Sequence, residues 1–97
     1  MFVPYDQETG QYINNLRWDR QRDDYQQTSD FRKARRYKRR HAAIEFASLK
    51  NVNRNIPKGV PGPNKHYQNR PQVVVHEING QGQVVQVLSA PPQYIYL

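Results

Sequence analysis

No cysteine occurs among the 97 residues, which excludes disulfides and thiolate metal sites and leaves the redox compartment undecided. Acidic side chains are scarce beyond the first third, where only Glu45 and Glu77 follow Asp30. Long apolar runs are missing too, and none approaches the roughly 18 residues of a membrane span. The opening MFVPYDQETG has neither a basic segment leading into an apolar one nor an Arg-rich amphipathic pattern. The expectation is an intracellular or virion protein without signal, transit or transmembrane segment. There is no N-x-[ST] sequon either.

Catalytic patterns are equally absent. His41, His66 and His76 stand apart without metal-ligand spacing, and Asp6, Glu8, Asp19, Asp23, Asp24 and Asp30 lie in polar stretches. Gly80-Gln81-Gly82 falls in a turn with no Lys-Ser/Thr after it, so no phosphate loop is present. The reading is therefore a non-enzyme, with no catalytic residue, no metal site, no cofactor and no small-molecule substrate.

What the chain does have is positive charge in one block. Fifteen Lys and Arg against eight Asp and Glu give a net charge of +7. Residues 1–29 carry three cations and five anions, residues 30–50 eight and two, and residues 51–71 four cations with no anion. Seven of the nine residues from Arg32 to Arg40 are Lys or Arg. Such a basic block between neutral or acidic flanks points to phosphate as the partner. With 36% hydrophobic residues the core is expected to be thin.

Along the chain, FVPYDQETGQYI (2–13) reads as a small hairpin about Gly10 or as an extended arm. NNLRWDRQRDDYQQT (14–28) suits a polar helix with a narrow apolar stripe, in which Trp18 is a packing anchor against a partner or the rest of the chain. Thr28-Ser29-Asp30 offers N-cap side chains for a long helix over about 29–50, cationic from Arg32 to Arg40 and apolar from Ala42 to Leu49. Seven like charges on one half-helix repel, and a surrounding polyanion would relieve them. Residues 51–71, with Pro57, Pro61, Pro63 and Pro71, read as an extended basic arm. In kind that segment resembles the basic extensions of ribosomal proteins and capsid arms. Val73–Ile78 and Val84–Leu88 flank Asn79-Gly80-Gln81-Gly82 as a C-terminal β-hairpin, and APPQYIYL ends the chain as an apolar tail. The fold expected is a small, extended α+β subunit with little autonomous core. Its segments are 1–28, 29–50, 51–71 and 72–97.

The function expected is a structural protein that binds nucleic-acid backbone, RNA more than DNA, inside a ribosome-like particle or virion and bridges to neighbouring protein subunits. The residues assigned to nucleic acid are Arg32, Lys33, Arg35, Arg36, Lys38, Arg39, Arg40, Arg54, Lys58, Lys65 and Arg70. Arg outnumbers Lys in the block, which favours bidentate phosphate or guanine-edge contacts. Tyr37 and Tyr67 can stack on unpaired bases, although Tyr37 equally suits packing on the rest of the helix. Trp18, Phe46, Leu49, Tyr94 and Tyr96 are assigned to protein partners. No RRM, zinc finger or helix-turn-helix pattern occurs, so recognition of backbone and shape is expected. An adaptor whose basic helix docks on an acidic protein is the alternative. RRYKRR would also suit a nuclear import signal or an anionic membrane patch.

Overall fold

The computed structural model describes residues 1–19, 24–55 and 72–92. They form strands β1 (Phe2–Asp6), β2 (Gln11–Asp19) and β3 (Asp24–Thr28), a 3-10 turn (Phe31–Lys33), one helix α1 (Arg40–Asn55), and strands β4 (Val73–Ile78) and β5 (Val84–Leu88). The five strands make one antiparallel sheet in the order β3-β2-β1-β4-β5. No helix among the described residues is long and apolar enough to cross a membrane.

The first hairpin turns at Gly10, whose φ of +72° suits a residue without Cβ, and pairs Tyr5 with Tyr12. Residues 14–28 then differ from expectation: they continue as β2 and β3, paired with Trp18 opposite Tyr25, in place of a polar helix. A helix with so narrow an apolar stripe is marginal alone. The same residues include Trp18, Tyr25 and Thr28, which have good strand propensity once a neighbouring strand supplies an edge.

β1 lies in the sheet interior yet contains Pro4. Phe2 and Tyr37 exchange backbone hydrogen bonds (2.9 and 2.8 Å), whereas Met1 and Ile78 bond on the β4 side. By strand alternation, residues 2, 4 and 6 direct their backbone polar groups away from β4. Pro4 therefore lacks its donor on the side where β2 would have to pair, and the strands part beyond Tyr5 and Tyr12. Residues 34–37 enter the gap. Ala34 bridges Asn14, the Arg35 N–H donates to the Ile13 carbonyl (2.8 Å), and Tyr37 bridges Phe2.

That wedge corrects the largest sequence expectation, the helix over 29–50. Helix starts only at Arg40 and runs on to Asn55, so residues 51–55, expected in an arm, are its last turn. An extended residue rises about 3.3 Å and a helical one about 1.5 Å. The extended residues 34–37 therefore lengthen the middle of the cationic block and weaken like-charge repulsion there without a partner.

α1 lies across β1 and β4. Its small residues Ala43 and Ala47 let it approach Ile13, Val73, Val75 and Ala90, with Phe2, Tyr37, Ile44, Phe46 and Leu88 around them. Val3, Ala34 and Ile78 form a second cluster on the other side of the sheet, with Tyr12 and Phe31 against it. Asn51, fully buried, donates to the Val73 and Ala90 carbonyls (2.8 and 2.6 Å) and accepts from the Val73 N–H (2.8 Å). Beside it the Ser48 hydroxyl donates to the Pro91 carbonyl (2.7 Å), so α1 holds both ends of the β4–β5 unit. The radius of gyration, 13.5 Å, is that of a compact chain near 100 residues, about 13 Å, which corrects the expectation of an extended subunit.

Candidate nucleic-acid interface

The cationic residues lie on a track from the 3-10 turn to the first turn of α1. At its start, Asp30 caps the turn by accepting from the Arg32 backbone N–H (3.0 Å), and its Oδ1 also pairs with Arg32 Nε (3.2 Å). The backbone bond from Arg32, then the side-chain one, holds the Asp30 carboxyl below its ordinary range. The expected cap therefore exists, but it caps a single turn. The ion pair is well exposed on the Arg32 side and adds little stability.

Side chains of the extended stretch alternate. Ala34 points into the cluster of Val3 and Ile78, while Arg35 and Tyr37 turn to the helix side. The Arg35 guanidinium lies 4.5 Å from the Phe46 ring centroid and 5.4 Å from that of Tyr37, and its Nε donates to the Tyr37 hydroxyl. Arg35 is therefore a half-buried packing residue. Lys33, Arg36, Lys38, Arg39 and Arg40 are exposed, and among the described residues no carboxylate pairs with them. No acidic residue stands in the first turn of α1, so Arg39 and Arg40 add to the positive end of the helix dipole. Met1, Arg36, Tyr37 and Lys38 line an open groove of about 360 Å³.

Of the other assigned residues, Arg54 stands in the last turn of α1 and Trp18 in β2. Phe46 packs on the chain's own core beneath Arg35, and Leu49 is exposed (54%). Tyr37 packs beside Phe46, with ring centroids 6.1 Å apart. Lys58, Lys65, Tyr67, Arg70, Tyr94 and Tyr96 lie outside the described residues.

An aromatic cluster lies on the sheet face away from α1; the hairpin reading brings Tyr5 and Tyr12 together, but sequence reasoning missed the place of His76 beside them. Tyr5 stacks on His76 (4.1 Å, 19°), and Tyr12 packs edge-on against both. The Tyr12 hydroxyl lies 2.9 Å from His76 Nδ1. With the proton on Nε2, Nδ1 accepts that hydroxyl. Burial pushes the His76 pKa down and, with Tyr5 nearby as a smaller effect, pushes that of Tyr12 up. The signal lay in the strand period, which puts Tyr5 and Tyr12 on one face; the contribution of His76 required the β1–β4 register, Val3 opposite His76.

No protein family, curated protein or solved structure matches the chain. The fold and the cationic track are thus the whole basis for a functional reading.

Proposed function

We propose that the protein is a non-catalytic structural component that grips nucleic-acid backbone in a larger nucleoprotein assembly and bridges it to neighbouring proteins. One observation carries the reading: Lys33, Arg36, Lys38, Arg39 and Arg40 are exposed on a backbone pinned to β1 and β2. Pinning lowers the conformational entropy lost on binding. Exposed cations that follow one another from the 3-10 turn to the first turn of α1 suit the successive charges of a phosphate chain. RNA is favoured over DNA because the track has no base-reading helix for a major groove, whereas backbone contacts and stacking suffice for single strands. Leu49, exposed on α1, is an anchor for a neighbouring protein.

The test replaces Arg36, Arg39 and Arg40 by Gln and leaves Arg35, whose packing supports the fold. Affinity for a single-stranded RNA and for a duplex is measured by fluorescence anisotropy over a range of salt. The expected result is a weaker complex whose salt slope falls by about 0.7 to 0.9 log unit per lost contact. Unchanged affinity and slope would overturn the reading, and salt-sensitive capture of an acidic polypeptide instead would favour the adaptor.

A further inference from the structure

Alternation along the strands sorts the side chains of the sheet between its two faces. Val73 and Val75 meet α1, so Val74, His76 and Ile78 stand on the opposite face, together with Val3 and Tyr5 of β1 and Tyr12 of β2. The register shift between β4 and β5 leaves Val85 as an extra residue, and Val84 and Val87 fall on that same face, opposite Ile78 and His76. They are 46 and 56% exposed. The half-buried rings of Tyr12, Tyr5 and His76 thus form a strip across the sheet that ends at the open Val87.

Charge on this face has one sign. The carboxylates of β1 and β4, Asp6 and Glu77, alternate onto the α1 face. The 3-10 turn lies over one end of the ring-bearing face, since Phe31 packs on Val3, Ala34 and Ile78, and it carries the exposed Arg32 and Lys33. Arg36, two residues beyond Ala34 in the extended stretch, is directed to the same side. Asp30 engages Arg32, whereas Lys33 and Arg36 have no carboxylate partner among the described residues.

We infer that this face is a stacking platform for unpaired bases, on which a single strand held by the cationic track lays about two of them against His76, Tyr5 and Val87. The inference rests on the nucleic-acid reading above and adds where the bases go. Tyr5 and His76 already stack, with centroids 4.1 Å and planes 19° apart, an arrangement that a further flat ring continues. Beyond His76 the next strand offers the short side chain of Val87, which leaves room for that ring beside the imidazole. Tyr12 is edge-on to both rings, and its hydroxyl, 2.9 Å from His76 Nδ1, fixes the imidazole before a base arrives. A base brings its own phosphate to Lys33 and Arg36, whereas an apolar protein surface brings no such charge.

The experiment separates bases from phosphates. The full chain is titrated, by fluorescence anisotropy over a range of salt, with a labelled oligoadenylate of about 12 nucleotides and with an abasic ribose-phosphate oligomer of the same length. Oligoadenylate is expected to bind at least about fivefold tighter, the least that one stacked base contributes. Tyr5→Leu, which keeps apolar volume and removes the ring, should erase most of that difference and leave the abasic affinity and the salt slope unchanged. NMR of the unaltered chain makes the test independent of any folding defect: the Tyr5 and His76 ring protons and the Val87 methyls should shift upfield with oligoadenylate and stay in place with the abasic oligomer. Equal affinity for the two oligomers, or ring and methyl signals that ignore the bases, would overturn the platform while the salt-dependent grip stands, and would point to an apolar protein contact on this face instead. Loss of salt-sensitive binding to both oligomers in the unaltered chain would overturn the platform together with the reading beneath it.

Discussion

Asn51 is where the fold is most vulnerable to one substitution. Asn51→Ala removes three hydrogen bonds and leaves the Val73 N–H and the Val73 and Ala90 carbonyls without their side-chain partner, at a site fully shut from solvent. At about 1 kcal/mol for each lost bond the cost is roughly 3 kcal/mol. A chain of this size has about 5–15 kcal/mol in all. For a domain near 100 residues, 1 kcal/mol moves Tm by about 4–8 °C, so Tm should fall by about 12–24 °C. Thermal and urea unfolding followed by circular dichroism measure it. Asn51→Asp adds a sharper control, because a carboxylate still accepts from Val73 but turns negative oxygen towards two carbonyls. Its folded pKa would rise above the unfolded value of about 3.9. The folded state then binds more protons, so this variant should lose stability as pH rises through that value and recover it in acid. A loss below about 1 kcal/mol for Asn51→Ala, or an Asn51→Asp chain as stable as wild type at neutral pH, would refute the role given to this side chain.

Three further outcomes follow from the same geometry. Arg35→Ala should cost about 1 kcal/mol through lost packing on Phe46 and Tyr37, whereas exposed Arg36→Ala stays within about 0.5 kcal/mol; urea titration separates them. For His76, burial lowers the folded pKa, so between that pKa and the unfolded value near 6.5 the unfolded chain binds more protons. Stability should be full above pH 7 and fall as pH drops through 6.5 and below, and His76→Gln should remove that component from a plot of melting temperature against pH. Gly82 has φ +80° and a Cβ there would sit 3.3 Å from the Phe31 ring, while a Cβ on Gly80 meets nothing within 4 Å. Gly82→Ala should therefore destabilise by about 1 kcal/mol or more and Gly80→Ala far less, as read by thermal melts.

Several features were legible before any coordinate. The mixture of helix and strand followed from period and turn chemistry: β-branched runs around Asn79–Gly82, and aromatic runs around Gly10, are local signals. The helix over residues 14–28 was misread because propensity and charge spacing are local as well, and a nearby strand edge outweighs them. The basic helix failed for a related reason. Charge density was visible, but the extended path of residues 34–37 that replaces the helix depends on partners at Ile13 and Phe2, far away in the sequence. Arg35 shows the limit at the candidate interface, since one cation among seven stacks on Phe46 and only packing reveals which.

The sequence by itself determined the charge block, the absence of thiol chemistry and the apolar, uncharged character of the last strand, because composition and charge do not depend on conformation. Tertiary structure alone decided that Pro4 splits β1 from β2, that residues 34–37 fill the opening, and that six of the seven cations from Arg32 to Arg40 face outward while Arg35 packs inward. Those choices rest on hydrogen bonds between distant strands, whose geometry exists only once the chain has closed on itself.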